Sequence, residues 1–327
     1  MTVPKVSVLI PTYNYARYLP EAIESILAQD FRNFELLISD DCSTDNSAEV
    51  IARYAARDSR IRFQIHSANL GMVQNWNWCL SQARGEYIKF IFGDDRLATR
   101  QALGGLIELL ETNASAVLAV SARSVIDENS KIVEVWDDLG SSGLYQGREI
   151  IARCWERNCC NLIGEPSAVL FRKRDAARNF DVAYRQIVDL EMWLHLLEKG
   201  DLAYTTEALC CFRRHRQQQS EVNHVNQVVE REGLRLFFIY DRKAYLKARL
   251  RMGSFNQLYN IKKHLKRHRG QDADMLQAER ELSARLGKFW YAACWLRHKI
   301  TKPFLNLQRS LKKRLPVAVP SGFFDPL

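Results

Sequence analysis

Apolar residues along the first hundred positions come in two spacings that take turns. Val6–Ile10 is a short, mostly apolar run stopped by Pro11-Thr12-Tyr13-Asn14, after which Leu19, Ala22, Ile23, Ile26 and Leu27 recur at helical spacing. Short apolar runs bounded by turn residues read as buried strands, and recurrence at i, i+3 and i+4 reads as an amphipathic helix. The pair then repeats. Phe34–Ser39 is a strand broken by Asp40-Asp41-Cys42-Ser43-Thr44-Asp45, whose helix-capping residues lead into a helix over Ala48–Arg57. Ile61–Ile65 is a third strand, followed by Ala68-Asn69-Leu70-Gly71 and a helix with Val73, Trp76, Leu80 and Ala83 on one face. A fourth strand lies in Ile88–Phe92 and stops at Gly93-Asp94-Asp95. Strand and helix thus alternate four times, which predicts an α/β fold with a parallel sheet and right-handed crossovers.

Farther along the pattern loosens. Leu103–Leu110 reads as a helix, Ala116–Ser121 and Lys131–Val135 as strands, and the polar Asp137–Gly147 stretch as a loop. Arg148–Trp155 reads as a helix and Ala168–Arg172 as a strand. Ile187–Leu197, with apolar residues at 190, 193, 194 and 197, is again helical. A last strand, Leu202–Thr206, leads through Cys210-Cys211-Phe212 into Arg213-Arg214-His215. From about Val225 the pattern is helical throughout, first with Val228, Leu234, Leu236, Phe237 and Tyr240, later with Leu282, Leu286, Phe289, Trp290, Ala293 and Leu296. Two domains are expected, an α/β domain over residues 1–224 and a helical region over 225–327.

Charge sharpens that division. The chain has a net charge of +9, but the 22 basic and 8 acidic residues from Asn226 to Leu327 give +14, leaving −5 for the rest. Lys262-Lys263, Lys266-Arg267, Arg269 and Lys312-Lys313-Arg314 surround the apolar stripes of the tail, and Phe289, Trp290, Tyr291 and Trp295 add aromatic surface. Such a tail suits a helical cap with a solvated basic face, or a surface resting on an anionic membrane, where each Lys or Arg is worth about 1 kcal/mol. Binding to nucleic acid would use the same charge, but no recognition motif is present and the acidic loops would be left unexplained.

The eight cysteines show no CxxC or Cys/His zinc spacing, the N-terminus shows no signal peptide, and no apolar run reaches the roughly 18 residues of a spanning helix. A cytoplasmic protein is expected, peripheral on the inner face of the cell membrane if the tail binds lipid. There is no GxGxxG after the first strand and no GxxxxGK[ST] anywhere, which argues against a dinucleotide site or a P-loop.

Pro11–Asn14, Asp40–Asp45 and Gly93–Asp95 each follow a strand, so in a parallel sheet they share one edge and converge on one ligand. Capping accounts for Ser43, Thr44 and Asp45 but not for Asp40 and Asp41. Adjacent aspartates repel each other, so the pair at 94 and 95 suits a divalent cation or a shared polar ligand, with a plain acidic turn as the alternative. Titratable groups converging in a cleft mark a functional site.

Pro11-Thr12-Tyr13-Asn14, Asp40-Asp41-Cys42-Ser43-Thr44-Asp45, Asn69-Leu70-Gly71, Ala83-Arg84-Gly85-Glu86-Tyr87 and Gly93-Asp94-Asp95, in this order and at this spacing, closely resemble the family-2 inverting glycosyltransferases of the GT-A fold. The resemblance covers about Val6 to Ser220. It implies a mainly parallel, Rossmann-like sheet flanked by helices, here followed by a basic α-helical extension. It also implies transfer of a sugar from a nucleotide-diphosphate sugar donor to a hydroxyl of a glycan or lipid-linked oligosaccharide acceptor in bacterial surface-polysaccharide assembly. Such enzymes use Mg²⁺ or Mn²⁺ as a Lewis acid at the diphosphate, and carboxylate oxygens suit both ions.

The family's metal motif is often Asp-x-Asp. The aspartates here are adjacent and on an extended backbone would point apart, so the resemblance implies that Asp95 touches the metal and Asp94 the ribose or a metal-bound water. Asp41 matches the position that hydrogen-bonds the base, with Pro11 and Tyr13 around it, and Thr12, Asn14, Asn69 and Gly71 complete the donor-binding set. Asp189, ahead of Leu190-Glu191-Met192-Trp193-Leu194, aligns with the general base. Val188 replaces the Glu that usually precedes it, and Glu191 is the fallback. An N-cap is the plainer role for Asp189, and the two are compatible. Arg214 and His215 fall where similar enzymes carry Arg and His near the diphosphate, although a solvated basic turn fits them equally. Cys42 and Trp193 read as inert and core residues, His195 as a surface or packing residue. Asp272-Ala273-Asp274 imitates the metal motif without a preceding strand. A nucleotidyltransferase would need the same carboxylates and metal but would release pyrophosphate. A non-catalytic sugar-binding relative is disfavoured because Asp41, Asp95 and Asp189 are all in place.

Overall fold

The hydrophobic alternation of the first ninety residues becomes four strands and the helices between them: β1 (Val6–Thr12), α1 (Leu19–Leu27), β2 (Phe34–Asp40), α2 (Ser47–Ala55), β3 (Ile61–Ile65), α3 (Met72–Gln82) and β4 (Tyr87–Phe90). The computed structural model describes residues 3–157, 159–215, 218, 228–267 and 273–314. The four strands pair in parallel in the order β3-β2-β1-β4, with Val8 opposite Leu36 on one side and Lys89 on the other. Leu19, Ala22, Ile23 and Ile26 of α1 are fully buried against this sheet, as their spacing requires. Each such side chain contributes about 1.5–3 kcal/mol by leaving water.

Strand β1 runs past its expected end, through a buried Pro11 to Thr12. The β1–β4 ladder ends with the Ile91 N–H donating to the Leu9 carbonyl at 3.0 Å. Pro11 faces that side one step further on, where no N–H is required of it. Gly85 is needed where α3 returns to β4, because a Cβ there would run into the Val6–Ser7 backbone.

The second half of the sheet is mixed. It consists of β5 (Arg96–Leu97), α4 (Ala102–Thr112), β6 (Ala116–Ile126), β7 (Ile132–Trp136), β8 (Gly143–Tyr145), α5 (Gly147–Glu156), β9 (Val169–Arg172), α6 (Val188–Leu197) and β10 (Asp201–Arg213). The full order is β3-β2-β1-β4-β9-β6-β10-β5, with β7 beside β6 and β8 beside β10. Strand β9 enters antiparallel between β4 and β6, β6 and β10 are parallel, and β5 and β8 run antiparallel to β10. The parallel arrangement expected from the sequence therefore describes the first four strands and the β6–β10 pair. Strands β6 and β10 outrun their expected ends, and both carry a charged residue, Arg123 or Arg213, that is buried by ion pairs rather than by apolar character. Two-residue β5 and three-residue β8 are too short to leave a periodic signal.

By contact, the described residues form two compact units. One takes in residues up to Ile150 and Asn161–Val229, the other Ile151–Cys160 and the residues from Glu230 onward. The boundary expected between 224 and 225 lies outside the described residues, as do Arg269 and Asp272. Segment Ile151–Cys160, expected with the first domain, belongs to the second unit because Trp155 is buried there. Its ring stacks on Phe237 at 4.6 Å and its Nε1 donates to the Phe237 carbonyl at 3.2 Å. This unit contains α7 (Val228–Tyr240) from Glu230 on, α8 (Leu250–Arg267) and α9 (Ala273–Arg314), the last interrupted at Gly287, where φ is +68°. Among the described residues no helix is long and apolar enough to cross a membrane.

Candidate active site

Two loops at the carboxyl ends of β1 and β2 are tied into one surface. Asn14, at φ +59°, accepts the Thr44 N–H on Oδ1 at 2.8 Å, while its own N–H donates to Ser43 Oγ at 2.8 Å. Asp40 braces the same turn by accepting the Ser43 N–H at 2.9 Å and its hydroxyl at 2.5 Å. Asp41 turns the other way. Its two carboxylate oxygens accept the backbone N–H groups of Leu70 at 2.6 Å and Gly71 at 3.0 Å, and Asn69 Nδ2 donates to its carbonyl at 3.0 Å. Gly71 is the N-cap of α3, so the Asp41 charge sits at the positive end of that helix. The Gly71 φ of +86° is one that glycine adopts without cost.

The acidic pair lies just beyond β4. Gly93 is required there, since a Cβ would stand 2.6 Å from Thr12 Oγ1 and 3.1 Å from the Tyr15 ring. Thr12 itself is buried, and its hydroxyl has no hydrogen-bond partner among the described residues. Asp95 is 1% exposed and accepts Ser167 Oγ at 2.5 Å and the Arg213 N–H at 2.9 Å. Burial, and then the neighbouring Asp94 charge, push the Asp95 carboxyl well above the usual carboxylate range. Asp94 Oδ2 lies 3.1 Å from His215 Nε2, and the His215 ring packs on Tyr15 and Tyr18 with centroids 5.7 and 5.1 Å away. Burial and the two aspartate charges hold the Tyr15 phenol protonated far above its ordinary pKa.

Arg213 ties this corner together. Its Nε donates to the Asp94 carbonyl at 2.7 Å, Nη1 to the Asp127 carbonyl and Ser130 Oγ, and Nη2 to Glu21 at 2.5 Å. Glu21 also pairs with Arg96 at 2.8 Å.

A third carboxylate stands alone. Asp189 is in the first turn of α6, two residues after the N-cap, which is Ile187 and makes no side-chain capping bond. Its Oδ2 accepts Asn161 Nδ2 at 2.9 Å. Burial, opposed by the N–H groups of Leu190 and of Asp189 itself, raises its pKa to about 7. Glu165 adds to the rise and Arg123 opposes it. Arg123 in turn pairs with Glu165 at 2.5 Å and Asp138 at 2.9 Å. Glu191 is held by Arg178 at 2.7 Å. Trp193 is fully buried, with Nε1 donating to the Gly164 carbonyl at 3.0 Å.

The segment between Asn161 and Ser167 touches both corners. Asn161 holds Asp189, Ser167 holds Asp95, and the Glu165 charge raises the pKa of both. This fold has known counterparts. A family model for glycosyl transferase family 2 matches residues 7–173, just over half the chain. An uncharacterised protein of Mycobacterium tuberculosis is 30% identical over 65% of the chain and 67% of its own length. The chain belongs to glycosyltransferase family 2.

The glycosyltransferase GlyG of Streptococcus pneumoniae is 42% identical over 28% of this family-2 chain and 30% of its own length. The chain spans less than half the length of several curated relatives that it matches. Among solved structures, Staphylococcus aureus TarS in complex with UDP-GlcNAc superposes with a TM-score of 0.63 at 18% identity, covering 86% of this chain and 80% of that one. A mannosyltransferase from Pyrobaculum calidifontis, in complex with GDP-Man and Mn²⁺, gives 0.57 at 16% identity, with 95% and 84% covered. At these identities both establish the GT-A fold.

Within this family-2 site the predicted residues divide. Asp94, Asp95 and His215 come together, and Asp41, Asn69 and Gly71 form one hydrogen-bonded unit. Asn14 bridges two loops, Pro11 is inside β1, and Tyr13 is 46% exposed at the loop tip. Arg214 is exposed, with its N–H on the Ile126 carbonyl at 2.8 Å. Arg213, one residue earlier, carries the side-chain contacts expected of a site residue. Asn161, Ser167, Arg123, Glu165 and Lys89 were not singled out by sequence. Lys89 is the one with a legible signal, a charge inside an apolar strand. It is fully buried, with Nζ donating to the Ser167 carbonyl and to that of Val169 at 3.3 Å, and burial lowers its pKa to about 8.

Proposed function

We propose that this protein catalyses metal-dependent, inverting transfer of a sugar from a nucleotide-diphosphate donor to a hydroxyl of a glycan or lipid-linked acceptor. The observation that carries the reading is the Asn161–Ser167 segment, which ties a cation-type carboxylate pair and a lone carboxylate of raised pKa to one stretch of chain. Inversion in one displacement needs a single base. Asp189 takes the proton of the acceptor hydroxyl as that oxygen bonds to the anomeric carbon, and the electrons of the broken C–O bond leave with the diphosphate. A base whose pKa of about 7 matches neutral conditions suits this step. Asp41 and the loops it braces form the base-binding side of the donor pocket, and His215 stands at the diphosphate.

The acidic corner fits Mg²⁺ or Mn²⁺. Two adjacent carboxylates, one with a raised pKa, are relieved by a divalent ion, and their hard oxygens match both metals. Among the described residues no three His, Cys, Asp or Glu side chains form a closed cage. Asp95, with Asp94 behind it, would therefore hold the ion in an open site that the donor completes. The ion would supply Lewis-acid stabilisation of the departing diphosphate.

The basic tail supports a second element of the reading, attachment to the cytoplasmic face of an anionic membrane. On α9, Phe289, Leu296 and Ile300 fall on one helical face and are 75%, 57% and 58% exposed, amid the +14 charge of the region. The test of the function is a thermal-shift screen of UDP-GlcNAc, GDP-mannose and other nucleotide sugars with Mn²⁺, followed by identification of the released product. Stabilisation by a nucleotide sugar and release of a nucleoside diphosphate support the reading. Release of pyrophosphate from a nucleoside triphosphate and a sugar phosphate, with no nucleoside diphosphate released from any nucleotide sugar, points to a nucleotidyltransferase, and no stabilisation by any donor defeats it.

A further inference from the structure

Asn161 touches the proposed base, and the reaction as described gives it no task. Its Nδ2 donates to Asp189 Oδ2 at 2.9 Å and to the Gly164 carbonyl at 3.1 Å. Its Oδ1 accepts the N–H groups of Ile163 at 3.0 Å and Gly164 at 2.9 Å. These four bonds occupy both amide hydrogens and both oxygen lone pairs, which decides the orientation of the group. Turned over, the amide would set oxygen against the Asp189 carboxylate and NH₂ against two N–H donors. The Gly164 carbonyl also accepts Trp193 Nε1 at 3.0 Å, so the 161–164 turn is fastened to α6 at Asp189 and again one turn later. Gly164 adopts φ +120°, and a Cβ there would stand 3.3 Å from Arg123 Nη1. The turn is therefore clamped from both sides.

We infer that Asn161 is the positioning residue of the proton acceptor, holding one oxygen of Asp189 so that the other faces the acceptor hydroxyl, and keeping the carboxylate ionised. The inference rests on the reading of Asp189 as the base. A hydrogen bond donated to the charged form of an acid favours that form. Glu165 and Arg123 are the charged groups that act on Asp189, the first against ionisation and the second for it, while the N–H groups of its own helix turn favour it. Asn161 is the donor that can be removed without altering this charge balance.

Two substitutions test the role. Asn161→Asp keeps an oxygen for the Ile163 and Gly164 N–H groups but replaces the donor with a second carboxylate, and Asn161→Ala removes the group. The Asp189 carboxyl is followed by ¹³C NMR between about pH 4 and 9, its signal assigned by its loss in Asp189→Asn. The expected result is a titration midpoint raised by about one unit or more in Asn161→Asp and by less in Asn161→Ala. The acid limb of UDP-GlcNAc or GDP-mannose hydrolysis in Mn²⁺ should move with it, while donor KM stays within roughly twofold. If Asn161→Ala does not fold, Asn161→Ser, which keeps an oxygen near the Ile163 and Gly164 N–H groups and adds no charge, carries the test in its place. An unmoved midpoint alongside an inactive Asp189→Asn overturns the role of Asn161 alone. An active Asp189→Asn overturns the base assignment and this inference with it.

Discussion

Asp95 and Asp189 are both carboxylates whose pKa is raised first by burial, and one short segment of chain touches both, yet the proposed reaction gives them opposite tasks. Asp95 has a second carboxylate as its neighbour in sequence and takes its hydrogen bonds from Ser167 and the Arg213 backbone. The free energy of that corner falls when positive charge arrives. Asp189 has no carboxylate beside it in the chain and takes its hydrogen bonds from neutral groups, the Asn161 amide and the N–H groups of its own helix turn. Its free energy falls when a proton arrives. In the proposed reading the neighbouring Asp94 charge is what makes Asp95 the cation holder, and its absence leaves Asp189 as the proton acceptor.

Removing the proton acceptor should have the largest effect. Asp189→Asn is expected to lower turnover by about 10²–10⁴-fold while leaving stabilisation by the donor and Mn²⁺ in place. Loss of donor binding in this variant would show that the two corners are not separate. The pH dependence follows from the same pKa. With the carboxyl raised to about 7, turnover should climb as pH rises through 7. Stability runs the other way. Between about pH 4 and 7 the folded chain holds a proton that the unfolded chain has released, so this group's contribution to stability declines as pH rises through that window. Asp189→Asn should flatten that part of the melting-temperature profile.

Asp95→Asn should come next. It is expected to abolish the Mn²⁺-dependent part of the thermal shift given by a donor, a loss of about 2.7 kcal/mol if wild type is measured at 100 times its Kd. An unchanged Mn²⁺ response would remove Asp95 from the cation site and leave the comparison without one of its halves.

The difference between the corners also explains what the sequence disclosed. Asp40-Asp41 and Gly93-Asp94-Asp95 were visible because they are local runs at strand ends, and Asp189 because it opens a helix of recognisable pattern. Asn161, Ser167 and Glu165 were not, because each acts across a turn upon a residue 28 or more positions away, or upon a neighbouring charge, and a lone Asn, Ser or Glu in a loop has many ordinary explanations. Arg213 was seen as part of a basic cluster, but only the fold shows it to be the buried member and Arg214 the exposed one. The first four strands were legible from period alone. The mixed half was not, because β5 and β8 are short and the direction in which β9 enters leaves no mark on composition.

Two smaller substitutions sharpen the contrast. Glu191 carries a carboxylate two residues from Asp189, but Arg178 occupies it at 2.7 Å. Glu191→Gln should therefore change turnover by no more than roughly threefold, within the range of a partly exposed ion pair. A loss as large as that of Asp189→Asn would transfer the base role to Glu191.

The smallest effect belongs to Lys89, whose ammonium lies among the Ser167 and Val169 carbonyls behind the acidic pair and which feels the Asp95 charge. Burial lowers its pKa to about 8, from an ordinary 10.5. Between those values the unfolded chain holds a proton that the folded chain has lost, so stability contributed by this group rises with pH across that window. Lys89→Met should remove this rise, leaving melting temperatures at about pH 8 and pH 10 closer together than in wild type. It should also remove positive charge from behind Asp95 alone, tightening Mn²⁺ by a few-fold and leaving the pH limb set by Asp189 where it is. If the substitution moves that limb as well, Lys89 reaches both carboxylates, and the two corners behave as one coupled charge cluster rather than as two sites divided by the Asn161–Ser167 segment.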